Sequence, residues 1–262
     1  MNILMIGDIV GRPGRKAVEA MIEKLIKNYQ VNFVMANGEN AAGGVGITKS
    51  VALDLFHMGI DVLTMGNHVW DKKEIFDFID QETRIIRPLN YPGYPPGKGS
   101  GLFSVKNSIS KIAVINISGR VFMHDLDCPF RAVDEEINKL KKTTPIIIVD
   151  FHAEATSEKI AMGWYLDGKV TAVIGTHTHV QTADERILPE RTAFITDVGM
   201  TGPCNSVIGV KKDLVIEKFL TQMPTRFSVA NGDMILSAVV IETDANSGEA
   251  TNIRRIFEHL PE

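Results

Sequence analysis

The sequence predicts an α/β fold built on mostly parallel β-structure, and three observations carry that prediction. Short continuous apolar runs alternate with segments of helical periodicity from Asn2 to Ile79. The runs are of strand length, roughly four to eight residues, as expected for strands buried on both faces. Gly, Asp or Asn follows each run directly and stops it.

The elements follow in order. "NILMIG" reads as a first strand. After "GRPG" a helix is expected, because Val18, Met21, Ile22, Leu25, Ile26 and Tyr29 recur at helical spacing. "VNFVMA" is a second strand. "VALDLFHM" is a helix with Ser50 as its cap and Gly59 at its end. "DVLTM" is a third strand, and "KKEIFDFI" a further helix capped by Asp71. Such alternation builds a parallel sheet with helices on both faces. "RPLNYPGYPPGKGSG", between Arg87 and Gly101, reads as an irregular surface loop. Strands resume at "GLFSV" and "KIAVINI", and a helix is expected around "VDEEINKLKK". "PIIIVDF", "VTAVIG" and "TAFITDV" are three more buried strands, and "MILSAVVIET" with "TNIRRIF" forms a closing antiparallel hairpin. No internal repeat or linker divides the chain, so residues 1–262 are expected to form a single domain.

Composition narrows the function. At 44% hydrophobic and 23% charged residues, the chain is of ordinary globular type. Its net charge of -4 provides no basic field for nucleic acid, so an anionic ligand would need local positive charge such as a metal. Cys128 and Cys204 fit neither a zinc spacing nor a disulfide framework, and a reducing cytoplasm is expected. No apolar stretch is long enough for a membrane span, and Asp8 interrupts the N-terminal run.

The chemistry is concentrated where strands end. Asp8, "NGEN" at 37–40, "GNH" at 66–68, "FHAE" at 151–154 and "GTHTH" at 175–179 each follow an apolar strand. Ligands of open parallel sheets bind beyond the carboxyl ends of the strands, so these clusters should converge on one edge. The converging side chains are Asp8, Glu39, Asn40, Asn67, His68, His152, His177 and His179. Taken singly, Asp8 is better explained as a cap and the two asparagines as turn residues, while each histidine reads equally well as an ordinary structural imidazole. Taken together they form an oxygen and nitrogen ligand set without thiolate, suited to a pair of cations such as iron, manganese or zinc. Two cations held close need a bridging carboxylate, for which Glu39 and Asp8 both qualify. Such a pair generates hydroxide at neutral pH and clamps a phosphoryl group. His57 and His124 lie outside these clusters and read as structural. "GGVGITKS" has Thr48 where a phosphate-binding loop needs its second glycine, and "GDIVGRPG" lacks the dinucleotide fingerprint.

The ordered series "GD", "GEN", "GNH", "FHAE" and "GTHTH" resembles the calcineurin-like metallophosphoesterases. "GDIVGRPGR", "NGENAAGG", "GNHVWD", "GTHTHVQTADERILP" and "TDVGMTGP" resemble more closely their YmdB-like bacterial subfamily, over essentially the whole chain. Two departures from the wider superfamily agree with that subfamily. Asp8 is followed by Ile9 and Val10, so the histidine of the usual Asp-x-His opening is missing. Glu39 stands where an aspartate usually bridges, with Asn40 beside it to fill the vacant position.

The resemblance implies a sandwich of central, mostly parallel sheets flanked by helices, with a dimetal site at the carboxyl ends of the strands. It implies one metal on Asp8, Glu39, Asn40 and His179 and a second on Glu39, Asn67, His152 and His177, with Glu39 bridging. Iron is the implied metal, manganese being equally permitted by the ligand types. His68 would be the proton donor for attack by metal-activated hydroxide on a cyclic nucleotide, 2′,3′-cyclic in preference to 3′,5′-cyclic. Self-association is implied as well. Thr176, Thr178 and Asp197 are candidate supporting partners. The alternatives are a phosphomonoesterase or nucleotidase using the same site, and a regulatory module that binds a cyclic nucleotide with little turnover.

Overall fold

The computed structural model describes residues 1–106 and 108–262. The first half contains β1 (Asn2–Ile6), β2 (Asp8–Ile9), helix α1 (Gly11–Asn28), β3 (Phe33–Asn37), α2 (Lys49–His57), β4 (Val62–Thr64), a 3₁₀ turn (Lys73–Asp77) and β5 (Ile85–Ile86). There follow β6 (Ser100–Ser104), β7 (Lys111–Ser118), α3 (Pro129–Leu140), β8 (Ile147–His152), α4 (Thr156–Leu166) and β9 (Ala172–Thr176). The chain ends with β10 (Arg186–Ile187), β11 (Ala193–Ile195), β12 (Met200–Pro203), α5 (Lys212–Thr221), β13 (Met234–Thr243) and β14 (Ala250–Leu260).

These strands form two sheets. The first runs β2-β12-β13-β1-β3-β4-β5, with β14 paired to β13, and the second runs β10-β11-β9-β8-β7-β6. Strands β1, β3, β4 and β5 are mutually parallel, as are β7, β8, β9 and β11, while the hairpin β13–β14 is antiparallel.

Alternation along each strand decides what it packs against. In β1, Leu4 and Ile6 face Val18, Ile22 and Leu25 of α1, whereas Ile3 and Met5 face the other sheet. In β3, Val34 and Ala36 face the helices while Phe33 and Met35 point inward. The second sheet mirrors this. Ile112, Ile148 and Ile174 meet the first sheet, and Ile115, Phe151 and Val173 meet Val133 and Ile137 of α3 and Met162 of α4. Helices therefore cover one face of each sheet, and the sheets cover each other. The opening pattern had implied helices on both faces of one sheet. It misled because a strand facing another sheet is as uniformly apolar as one between helices.

Local details also differ from expectation. The cap of α2 is Thr48, whose hydroxyl accepts from the Val51 amide at 3.4 Å, ahead of the Ser50 position that the sequence suggested. "KKEIFDFI" makes only a 3₁₀ turn, and Asp71 does not cap it, because its carboxylate is bonded to His68. The Pro/Gly loop is ordered by the Arg87 guanidinium, which donates to the carbonyls of Pro88, Pro95 and Pro96. Among the described residues no helix is long and apolar enough to cross a membrane.

Helix α4 is tied to the second sheet by a charge pair away from solvent. Lys159 Nζ lies 2.6 Å from Asp197 Oδ2, with side chains 1% and 0% exposed. The same carboxylate accepts from the Thr178 amide and hydroxyl and the Gly199 amide. Lys159→Met would strand Asp197 as an unpaired buried charge, which costs about 3–5 kcal/mol. A urea titration of this variant should show that loss, with partial recovery when Asp197→Asn is added. An unchanged midpoint would mean that the pair contributes nothing to stability.

Candidate active site

The strand order brings the carboxyl ends of both sheets together. Asp8 opens β2 just beyond β1, Glu39 and Asn40 follow β3, and Asn67 and His68 follow β4. His152 is the last residue of β8, while His177 and His179 follow β9. Register places Asn37 opposite Thr64 and His152 opposite Thr176, so neighbouring strand ends are level.

Glu39, His152 and His177 form the tightest group, with ligand atoms all within 4.8 Å of one another. His152 Nε2 lies 3.1 Å from Glu39 Oε1, 3.0 Å from Asn67 Oδ1 and 3.1 Å from His177 Nδ1. Its other nitrogen, Nδ1, is 2.9 Å from Thr176 Oγ1, whose own proton goes to Asp150 Oδ1 at 2.7 Å. That relay makes Nδ1 the donor and turns the Nε2 lone pair toward the acceptors. Acceptors facing a lone pair repel it unless a proton or a cation lies between them. His177 Nε2 lies 3.1 Å from Glu154 Oε2, at the rim.

The other expected residues join through the backbone or stand close by. Glu39 Oε2 accepts the His68 amide at 3.0 Å, and Asp8 Oδ2 accepts the His177 amide at 3.3 Å. Asn40 donates from Nδ2 to the Gly44 carbonyl at 3.0 Å. The buried Asp8 Oδ1 and Asn40 Oδ1 have no hydrogen-bond partner among the described residues. Such orphaned oxygens carry a desolvation penalty that a cation would remove. His179 stands outside the tight group. Its Nδ1 donates to the Ile208 carbonyl at 2.9 Å, leaving Nε2 as the lone-pair nitrogen. Both His177 and His179 hold left-handed backbone, with φ of 99° and 65°, which is uncommon for non-glycine residues and frequent at functional sites.

Gly66 keeps this space open. A Cβ at that position would collide with His152 Nε2 and Glu39 Oε2. The donor set, its second-layer relay and the orphaned oxygens all fit a bound divalent cation.

Charge explains the titration of the group. Burial would raise the Glu39 carboxyl, but the charge and hydrogen bond of His152, helped by His68, outweigh it and hold Glu39 at about 2. Burial would lower His152, yet Glu39, Asp8 and Asp150 raise it to about 9. Asp8 is pushed up to about 6 by burial, against the pull of His179 and His152. His177 is lowered to about 3, by burial first and then by the charge of His152.

One contributor and one neighbour of the site escape the sequence reading. Asp150, two residues before His152 on the same strand face, is visible as the lone carboxylate inside "IIIVDFH". His124, read as structural, is exposed and lines a hollow with Asn67 and His177. Its distance from any strand end hides it.

A family model described as YmdB-like protein matches residues 4–256. The chain belongs to the YmdB-like family. It is 53% identical over 257 residues to a 2′,3′-cyclic-nucleotide 2′-phosphodiesterase of Bacillus subtilis (strain 168), covering 98% of this chain and 97% of that one. A solved structure from Mycoplasma pneumoniae, described as a novel phosphatase, superposes with a TM-score of 0.94 at 34% identity, covering 100% of this chain and 94% of that one. A hypothetical protein from Thermus thermophilus gives 0.93 at 39% identity, covering 100% of both chains. A 5′-nucleotidase from Candida albicans SC5314 shares the fold alone, at a TM-score of 0.59 and 11% identity, covering 98% of this chain and 50% of that one. The YmdB-like series of strand-end residues is thus carried on a metallophosphoesterase-type fold.

The titration predicts how the metal-free protein responds to pH. His152 is raised from 6.5 to about 9, so the stability its charge contributes is complete below 6.5 and is lost as pH rises through 9. Asp8, raised from 3.8 to about 6, loses stability in the same direction but lower, across that interval. Glu39 acts oppositely and loses its contribution only as pH falls from 4.5 through about 2. The melting temperature of the metal-free protein should fall between pH 6.5 and 9, and that fall should vanish in His152→Gln. A flat wild-type profile over this window would contradict the pairing of Glu39 with His152.

Proposed function

We propose that the chain is a dimetal phosphodiesterase acting on cyclic nucleotides, 2′,3′-cyclic in preference to 3′,5′-cyclic. The observation that carries this reading is the group of buried Glu39 and His152 with half-buried His177, flanked by the orphaned oxygens of Asp8 and Asn40. The Bacillus subtilis relative supports the substrate class. Asp8, Glu39, Asn40 and His179 would hold one metal, and Glu39, Asn67, His152 and His177 the other, with Glu39 shared. Iron is the metal this reading assigns, with manganese as the substitute. Such a pair, when bound, supplies a hydroxide nucleophile at neutral pH and neutralises charge on the phosphoryl oxygens.

The protein's own part lies in orientation and proton delivery. Thr176 and Asp150 fix the rotation of the His152 ring, and Ile208 fixes that of His179. His68 is held by its backbone amide on Glu39 and by its Nδ1, 2.7 Å from Asp71 Oδ2. That contact occupies Nδ1, so Nε2 is the atom that protonates the departing ribose oxygen. At 33% exposure the ring remains open to a substrate. A monoesterase using the same site is the second reading, favoured by the relative described as a phosphatase. Relative turnover of bis(p-nitrophenyl) phosphate and its monoester separates the two. A pure binding module has no use for a proton donor held as His68 is.

The reading extends to assembly and compartment. On α5 and the turn after it, Ile216, Phe219, Leu220 and Met223 are each more than half exposed, an apolar patch of the kind that self-association covers. Cys128 and Cys204 are free, as suits a reducing cytoplasm. One catalytic domain spans residues 1–262.

Two variants test the assignments. Glu39→Gln removes the negative charge shared by the two cations, so metal content and hydrolysis should both fall while the fold survives. Full occupancy of two metals with unchanged turnover would move the bridge elsewhere. His68→Ala should lower turnover of cyclic nucleotides by roughly 10²–10⁴-fold, the usual contribution of a general acid, with metal content unaltered. The loss should shrink with a p-nitrophenolate leaving group, which hardly needs a proton. Equal losses for both leaving groups would remove the acid role.

A further inference from the structure

The loop that leaves β7 brings Phe122, Met123 and His124 to the site. With Asn67 and His177 these side chains line a cavity of about 360 Å³. Phe122 is 90% exposed and holds left-handed backbone with φ of 61°. An aromatic ring left in water on uncommon backbone calls for a reason.

The loop is anchored on both sides of this tip. Glu158 accepts the amides of Arg120 and Val121 at 3.1 and 3.3 Å. Asn90 donates to the carbonyls of Ser118 and Asp127, each at 2.9 Å, and accepts the Ser118 amide at 2.9 Å. The ring is therefore presented at the cavity by a fastened loop.

We propose that Phe122 is the platform on which the nucleobase of the substrate stacks, with His124 offering a hydrogen-bonding edge beside it. This inference rests on the phosphodiesterase reading and names the part of the nucleotide that the metal cluster does not hold. In a 2′,3′-cyclic nucleotide the carbon bearing the 2′-oxygen is bonded to the carbon bearing the base. With the 2′-oxygen leaving, as in the reaction for which the Bacillus subtilis relative is named, the base sits next to the oxygen that receives the proton. His68 delivers that proton, and its neighbour Asn67 borders the Phe122 cavity. A second hollow of about 550 Å³, with Ile208, Arg255 and Phe257 in its wall, borders the cluster only at His179. Every base presents a π-face, so a single ring serves all four, with purines overlapping it most.

The test compares 2′,3′-cyclic AMP with the base-free methyl riboside 2′,3′-cyclic phosphate, using metal-loaded full-length protein. Phe122→Ala should lower kcat/KM for the adenine substrate by about tenfold, the scale of base–aromatic stacking, mainly through KM. The base-free substrate should lose far less, and Phe122→Trp should restore the preference. Inhibition by 3′-AMP should weaken in Phe122→Ala by a similar factor, which reports binding without turnover. Equal loss on both substrates, or none on either, overturns the stacking role. A base-selective loss in Phe257→Ala with Phe122→Ala indifferent also overturns it and puts the base in the His179 hollow. Wild-type protein that cleaves neither cyclic phosphate overturns the phosphodiesterase reading, and the base platform with it.

Discussion

The burial of the Glu39 carboxylate is the constraint on which the rest of the site depends. A carboxylate 1% exposed between two apolar sheets is costly unless a positive charge meets it. Without a bound cation, the protonated imidazole of His152 does so at 3.1 Å and is itself fully buried. Other features serve that encounter. Thr176 and Asp150 turn the imidazole, Gly66 leaves room for the contact, and the amide of His68 takes the second carboxylate oxygen. Asp8, raised by the same burial, adds a second acidic group that a cation can neutralise.

The sandwich makes this arrangement rigid. Strands β3, β4, β8 and β9 are each packed on both faces, so their ends cannot shift without disturbing two cores. The side chains with more freedom lie on loops at the rim. His68 is one-third exposed and Phe122 almost wholly so. Groups that hold charge in place are thus set on strand ends or within a few residues of them, and those that meet a changing substrate are set where they can adjust.

Much of the site was legible in the sequence because the fold places chemistry at strand ends. "GNH" and "GTHTH" interrupt apolar runs abruptly, and so marked their own position. The layer arrangement was less legible. Ile3 and Leu4 look alike in a list of residues, yet one faces a sheet and the other the helices. Helix α4 went unread because Lys159 occupies its buried face, where a charge argues against burial until Asp197 is seen opposite. Helix α5 buries only Val215 and so lacks the stripe that announces a helix. The loop carrying Phe122 has no periodicity, and its approach to Asn67 depends on the fastening by Glu158 and Asn90.

The donors of the cluster divide by position in the chain. The carboxylates and amides, Asp8, Glu39, Asn40 and Asn67, come from the first sheet, and the imidazoles, His152, His177 and His179, follow strands of the second. During synthesis the acidic half leaves the ribosome more than eighty residues ahead of the first imidazole, counting from Asn67 to His152. Until the second sheet docks, Glu39 has no imidazole to meet and a cation has only half its donors. A bound cation would therefore need both layers in place, and would act as a clasp between them.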